Sequence, residues 1–155
     1  MKIFTSVEIA KIIGSSVRQL QYWDETGLIY PSIMRATGRG TRRLYSEIDL
    51  LLLAIVKRLL DAGMSVQCIR HSITFLQKLL DSRPQLAELV LVSDGSSVYA
   101  YHHNDTILGM LHENQQVFRL RLGDLAAEFG DKIGHVYSTY IKNRSDDDIS
   151  QSATG

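Results

Sequence analysis

Apolar residues recur at helical spacing through the first half of the chain, then shift to strand-like alternation in the second. Thr5-Ser-Val-Glu8 is a capping box, in which hydroxyl and carboxylate satisfy each other's backbone donors. Ile9, Ile12 and Ile13 then mark one helical face, and Gly14 suits the stop. Ser16-Val-Arg-Gln19 is a second such box. It opens a helix running to about Thr26, with Gly27 as its stop and Val17, Leu20 and Trp23 facing inward. Two short helices separated only by Gly14-Ser15 predict a helix-turn-helix. Between Tyr30 and Leu44, Pro31, Gly38 and Gly40 preclude a regular helix. Ser46 caps a third helix, rich in leucine from Leu50 to Leu60 and ended by Gly63. Ser65 caps a fourth, with Val66, Ile69, Ile73, Leu76 and Leu80 at helical spacing and Arg83-Pro84 closing it.

Beyond Pro84 the texture changes. Glu88 to Ser93 and Ser97 to Tyr101 flank Asp94-Gly95 and read as a β-hairpin. Asn104 or Asp105 can cap a short helix bearing Ile107, Leu108 and Leu111. Val117 to Leu122 alternates as a half-exposed strand, and Asp124 is placed to start a final helix broken near Gly130 or Gly134. The expected fold is mainly α with a small α/β part: a four-helix winged helix-turn-helix over 1–83, then hairpin-helix-strand-helix over 84–142. The polar stretch 143–155, with three consecutive aspartates from Asp146, reads as a disordered tail.

Charge sharpens this division. The formal net charge is 0, yet Met1 to Pro84 holds 12 Lys/Arg against 7 Asp/Glu, and Gln85 to Gly155 holds 5 against 10. Only the first half suits a polyanion. Within it, Arg35, Arg39, Arg42 and Arg43 lie inside nine residues, just after the second helix. A helix that can enter a major groove beside a loop that neutralises phosphates points to double-stranded DNA. Arg18, in the first turn of its helix, opposes the macrodipole, a placement with no structural gain that favours a DNA role. Tyr22 is a further candidate contact, whereas Trp23 reads as core.

Other chemistries find little purchase. His102, His103 and His112 with Asp105 invite a metal, but adjacent histidines on a strand point to opposite faces, and no metal is expected. Cys68 is the lone cysteine, so no intramolecular disulfide or multi-cysteine site forms, and it reads as a small buried residue. Serine-nucleophile, paired-carboxylate and phosphate-cradling glycine motifs are absent, so neither catalysis nor a cofactor is expected. The greasiest run, Leu50 to Val56, ends at Lys57-Arg58, too short to span a bilayer. Without a secretory h-region at the N-terminus, a cytoplasmic location with no membrane partner is the expectation.

Val17-Arg18 with Leu20, Tyr22-Trp23, Asp24-Glu25, Gly27-Leu28, Arg42-Arg43-Leu-Tyr45 and Gly63-Met-Ser65 together resemble the winged-helix DNA-binding domain of the MerR family of bacterial transcription regulators. The resemblance covers about half the chain, from Ile3 to Ser82. It implies that Arg18 and Tyr22 are recognition-helix contacts and that Arg42, Arg43 and Tyr45 are wing contacts to the flanking backbone. Arg35 and Arg39 join them as cationic loop residues. Gln21 stands where the family usually has arginine; it can pair with adenine edges but brings no charge. The wing is slightly longer than usual around Leu44. The second half departs further: strands replace the family's long dimer helix, and the cysteines of metal-sensing members are missing. The resemblance thus implies a sequence-specific regulator that binds a promoter as a homodimer, distorts it and engages RNA polymerase, with an unknown small-molecule effector. Two alternatives stay open. One is an architectural or excisionase-like DNA-binding protein without ligand sensing; the other is a protein-interaction module with weak DNA binding.

Overall fold

The computed structural model describes residues 2–82, 86–102 and 118–133. The expected helix near Asn104, the histidines 103 and 112 with Asp105, and the tail from 143 lie outside these residues. The described fold is mostly helical with two small antiparallel sheets. Helices α1 (Ser6–Ile13) and α2 (Val17–Glu25) form the helix-turn-helix, followed by α3 (Glu47–Asp61) and α4 (Val66–Ser82). Two short strands, β1 (Phe4–Thr5) and β2 (Leu44–Tyr45), pair so that Phe4 lies opposite Tyr45.

Local chemistry sets these boundaries. Thr5 and Glu8 form the full capping box of α1, and Ser46 with Asp49 forms that of α3. At α2 the Ser16 hydroxyl accepts from Gln19 N–H, giving a side-chain N-cap. Ser65 caps α4 in the same manner, accepting from Cys68 N–H at 3.1 Å. Gly14, at φ 72°, takes the left-handed conformation that lets α1 turn sharply into α2.

Leu20 and Trp23 are buried as expected, but Val17 is 42% exposed. Helical geometry explains this difference. Six residues at 100° each rotate Val17 about 120° away from Trp23, so only Leu20 and Trp23 point squarely at α1 and α3.

The second half forms a three-stranded sheet in the order β4-β3-β5 from β3 (Leu89–Ser93), β4 (Val98–His102) and β5 (Phe118–Arg121). Leu91 pairs with Ala100 on one side and Leu120 on the other. In the connecting loop the Asp94 carboxylate accepts from the N–H groups of Ser96 and Ser97, which holds its pKa below the usual carboxylate value. Helix α5 (Leu122–Phe129) begins two residues before the expected Asp124, directly from β5. Gly123 permits this: a Cβ there would meet the Ala87 carbonyl oxygen at 2.8 Å, so α5 sits tightly on the turn at Leu86–Glu88.

One apolar cluster runs through both halves. It includes Ile9, Leu20, Trp23 and Leu53 beside the helix-turn-helix, Leu76 and Leu80 on α4, and Leu91, Leu122, Leu125 and Phe129 beyond. Polar ties reinforce it: Cys68 Sγ donates to the Ser96 carbonyl at 2.9 Å, Lys2 Nζ to the Asp131 carbonyl at 2.8 Å, and Arg58 pairs with Glu128.

Candidate nucleic-acid interface

Arg18, Gln21 and Tyr22 occupy i, i+3 and i+4 of α2 and are all exposed, Tyr22 by 56%. They share one face. The Gln21 side-chain amide donates to Glu25 Oε1 at 2.8 Å, which orients it along the helix. Arg70 on α4 donates to the Thr26 carbonyl at the end of α2, fixing that end against the fourth helix.

The loop after α2 is held by two carboxylates. Asp49, in the first turn of α3, accepts from Ser32 N–H, the Ser32 hydroxyl and Ser46 N–H at 2.8, 2.6 and 2.9 Å, which pins the loop's entry to its exit. Met34 then bridges Leu44 in antiparallel fashion, so the chain between them is a ribbon with its arginine-bearing tip at Arg39–Arg42. Asp24, only 4% exposed on α2, accepts from Arg35 on one oxygen at 3.0 and 3.2 Å and from Arg43 on the other at 2.7 Å. Arg35 also stacks over the Tyr30 ring, 4.0 Å from its centroid. Gly27, at φ 75°, leaves room for the Tyr30 hydroxyl, which a Cβ would approach to 2.9 Å.

The expected contact residues therefore divide into three groups. Arg39 and Arg42 are exposed on the ribbon, and Arg18, Gln21 and Tyr22 are exposed on the helix. Arg35 and Arg43 bind the ribbon to the helix through Asp24; Arg35 keeps 54% of its side chain open and Arg43 only 17%. Tyr45 is removed from the surface. At 1% exposure it belongs to the apolar core, opposite Phe4 of β1, and its expected wing contact is corrected to a packing role. Burial raises its phenol pKa, opposed by a hydrogen bond with Ser6 and the charge of Arg43. Strand alternation supplies the reason: Leu44 and Tyr45 point to opposite faces of β2, and pairing with Phe4 turns the tyrosine inward. Asp24 and Asp49 were missed as organisers. An aspartate directly after Trp23, within reach of a cationic loop, was the available signal for the first, and the Ser46 capping box was the signal for the second.

No group of three potential metal ligands occurs among the described residues, and no described helix is long and apolar enough to cross a membrane.

A helix-turn-helix with a braced arginine ribbon is the architecture of a winged helix-turn-helix domain. Residues 4–76 match the family model of the MerR HTH family regulatory protein, and this segment is similar to that family. Among similar proteins, uncharacterised HTH-type transcriptional regulators of Mycobacterium tuberculosis (strain H37Rv) and Mycobacterium bovis are 40% identical over 118 residues, covering 76% of this chain and 52% of theirs. The HTH-type transcriptional regulator TnrA of Bacillus subtilis is 27% identical over 100 residues, 64% of this chain and 87% of that protein. The chain thus spans about half the length of the mycobacterial relatives it matches.

Proposed function

We propose that the chain binds a promoter as a homodimer and regulates transcription by deforming the DNA between the two bound heads. In this reading Arg18, Gln21 and Tyr22 face the major groove, while Arg39 and Arg42 contact phosphates of the flanking backbone. Arg35 and Arg43 set the ribbon's angle, and Arg35 keeps enough exposed surface to reach a phosphate as well. The observation that carries the reading is the double clamp on Asp24, which fixes an arginine ribbon beside an exposed helical face bearing Arg18 and Tyr22. A single head of this size reaches few base edges, so useful specificity calls for two heads on a two-fold-symmetric site. Bending or untwisting such a site would then place both promoter elements before RNA polymerase. The sheet and α5 are the portion left to join two copies or to receive an effector.

The test is fluorescence-anisotropy titration of the full chain against a duplex selected from a random library and against its scrambled control, across a salt series. Selective binding with a steep salt dependence and two chains per duplex is the expected result. Equal binding to both duplexes would defeat sequence-specific regulation, and one chain per duplex would defeat the dimer.

A further inference from the structure

Two large aliphatic side chains from different helices stand open on the candidate DNA-binding face. Val7, in the first turn of α1, is 53% exposed, and Val17, at the start of α2, is 42% exposed. Single exposed valines are ordinary. These two are not isolated: they line one surface depression together with Thr41, Arg42 and Arg43 of the ribbon. Val17 lies seven residues before Asp24, two helical turns along the stripe that faces the arginine ribbon. The depression thus combines the methyl groups of Val7 and Val17 with the hydroxyls of Thr5, Ser6 and Thr41 and the cations Arg42 and Arg43, at the leading end of the helix beside Arg18.

We propose that Val7 and Val17 form an apolar subsite that reads the 5-methyl group of a thymine in the major groove. The proposal rests on the DNA-reading assignment above. Charge complementarity selects the occupant, because Arg42 and Arg18 draw in a polyanion and repel a cationic partner. Thymine is the one base that presents a methyl group in the major groove, and aliphatic contact is how side chains recognise it. The pair thus supplies discrimination toward A·T pairs that neither arginine provides, since arginine favours guanine. This contribution is short-ranged and salt-insensitive, unlike the phosphate contacts of the ribbon.

The test compares one library-selected duplex made with thymidine against the same duplex made with deoxyuridine, which removes only the methyl groups. The full chain should bind the deoxyuridine duplex roughly fourfold more weakly per contacted methyl. Val17→Ala should bind the thymidine duplex about as weakly and lose its sensitivity to methyl removal. Val17→Thr, which keeps one methyl beside a hydroxyl, should retain part of the sensitivity, and Val7→Ala should reduce it in part. A selected duplex that the wild-type chain binds equally well with and without methyl groups overturns the subsite while leaving the DNA-reading assignment standing. A library that yields no enriched sequence overturns both.

Discussion

Arg43 donates its Nε–H to Asp24 Oδ2 at 2.7 Å, from the ribbon back to the helix expected to read DNA. Asp24 is almost wholly buried, and its other oxygen is occupied by Arg35. A buried carboxylate shared by two guanidiniums leaves uncompensated charge if either side is removed. Asp24→Asn should therefore destabilise the protein by about 2–3 kcal/mol, somewhat below the fully buried case because both arginines retain solvent contact. It should also free the ribbon, so that trypsin cuts at Arg39 and Arg42 faster than in the wild type. An unchanged urea midpoint and digestion rate would show that the clamp does not hold the ribbon.

Neighbouring arginines should give opposite results. Arg42 is exposed, whereas Arg43 is mostly covered and tied to Asp24. Arg42→Ala should leave stability within about 0.5 kcal/mol of wild type, as surface changes do. It should lower the slope of log affinity against log salt by about 1, for one lost phosphate contact. Arg43→Ala should instead lower the melting temperature and the affinity together. If Arg43→Ala changed the salt slope alone, the division into contact and brace would be wrong.

These contrasts mark what the sequence could convey. Local signals were legible: the capping residues Thr5, Ser16, Ser46 and Ser65 each sit where the first-turn N–H groups need them. The hairpin around Asp94-Gly95 and the glycine stop of α5 at Gly130 also follow from residue type. Tertiary choices were not legible. Nothing local distinguishes Arg42 from Arg43, and only the fold brings Asp24, nineteen residues away, beneath the second of them. The family resemblance implied a wing contact for Tyr45, and pairing with Phe4 is what buries it. The helical spacing of Val17 suggested core, but the first turn of α2 is open to the ribbon's depression.

Tyr45 makes a pH-dependent prediction. Its pKa is raised in the folded protein, chiefly by burial, above the unfolded value of about 10. The folded state thus holds the phenol proton more tightly than the unfolded state. Its contribution is fully present below about pH 10 and is lost as pH rises through the folded pKa. Stability of the wild type should decline more steeply above pH 10 than that of Tyr45→Phe, measured by urea unfolding at several alkaline values. The phenolate absorbance lost in the variant should titrate above the ordinary phenol range in the native protein. Parallel stability curves would remove the linkage.

The continuity of the core bears on any dissection of the chain. Leu76 and Leu80 are fully buried at the end of α4, in the same cluster as Leu122, Leu125 and Phe129. A fragment ending at Arg83 keeps the whole helix-turn-helix and ribbon, yet it removes the second-half members of that cluster and loses the Cys68–Ser96 and Arg58–Glu128 ties. At roughly 1.5–3 kcal/mol for each buried leucine, the loss is comparable to a large share of a small domain's stability. The fragment should melt at a markedly lower temperature than the full chain, or bind a hydrophobic dye before unfolding. Replacing Leu76 and Leu80 with glutamine in the fragment should relieve the dye binding without restoring stability. A fragment melting as high as the full chain would instead make 1–83 an autonomous unit, with the sheet and α5 as a separable attachment.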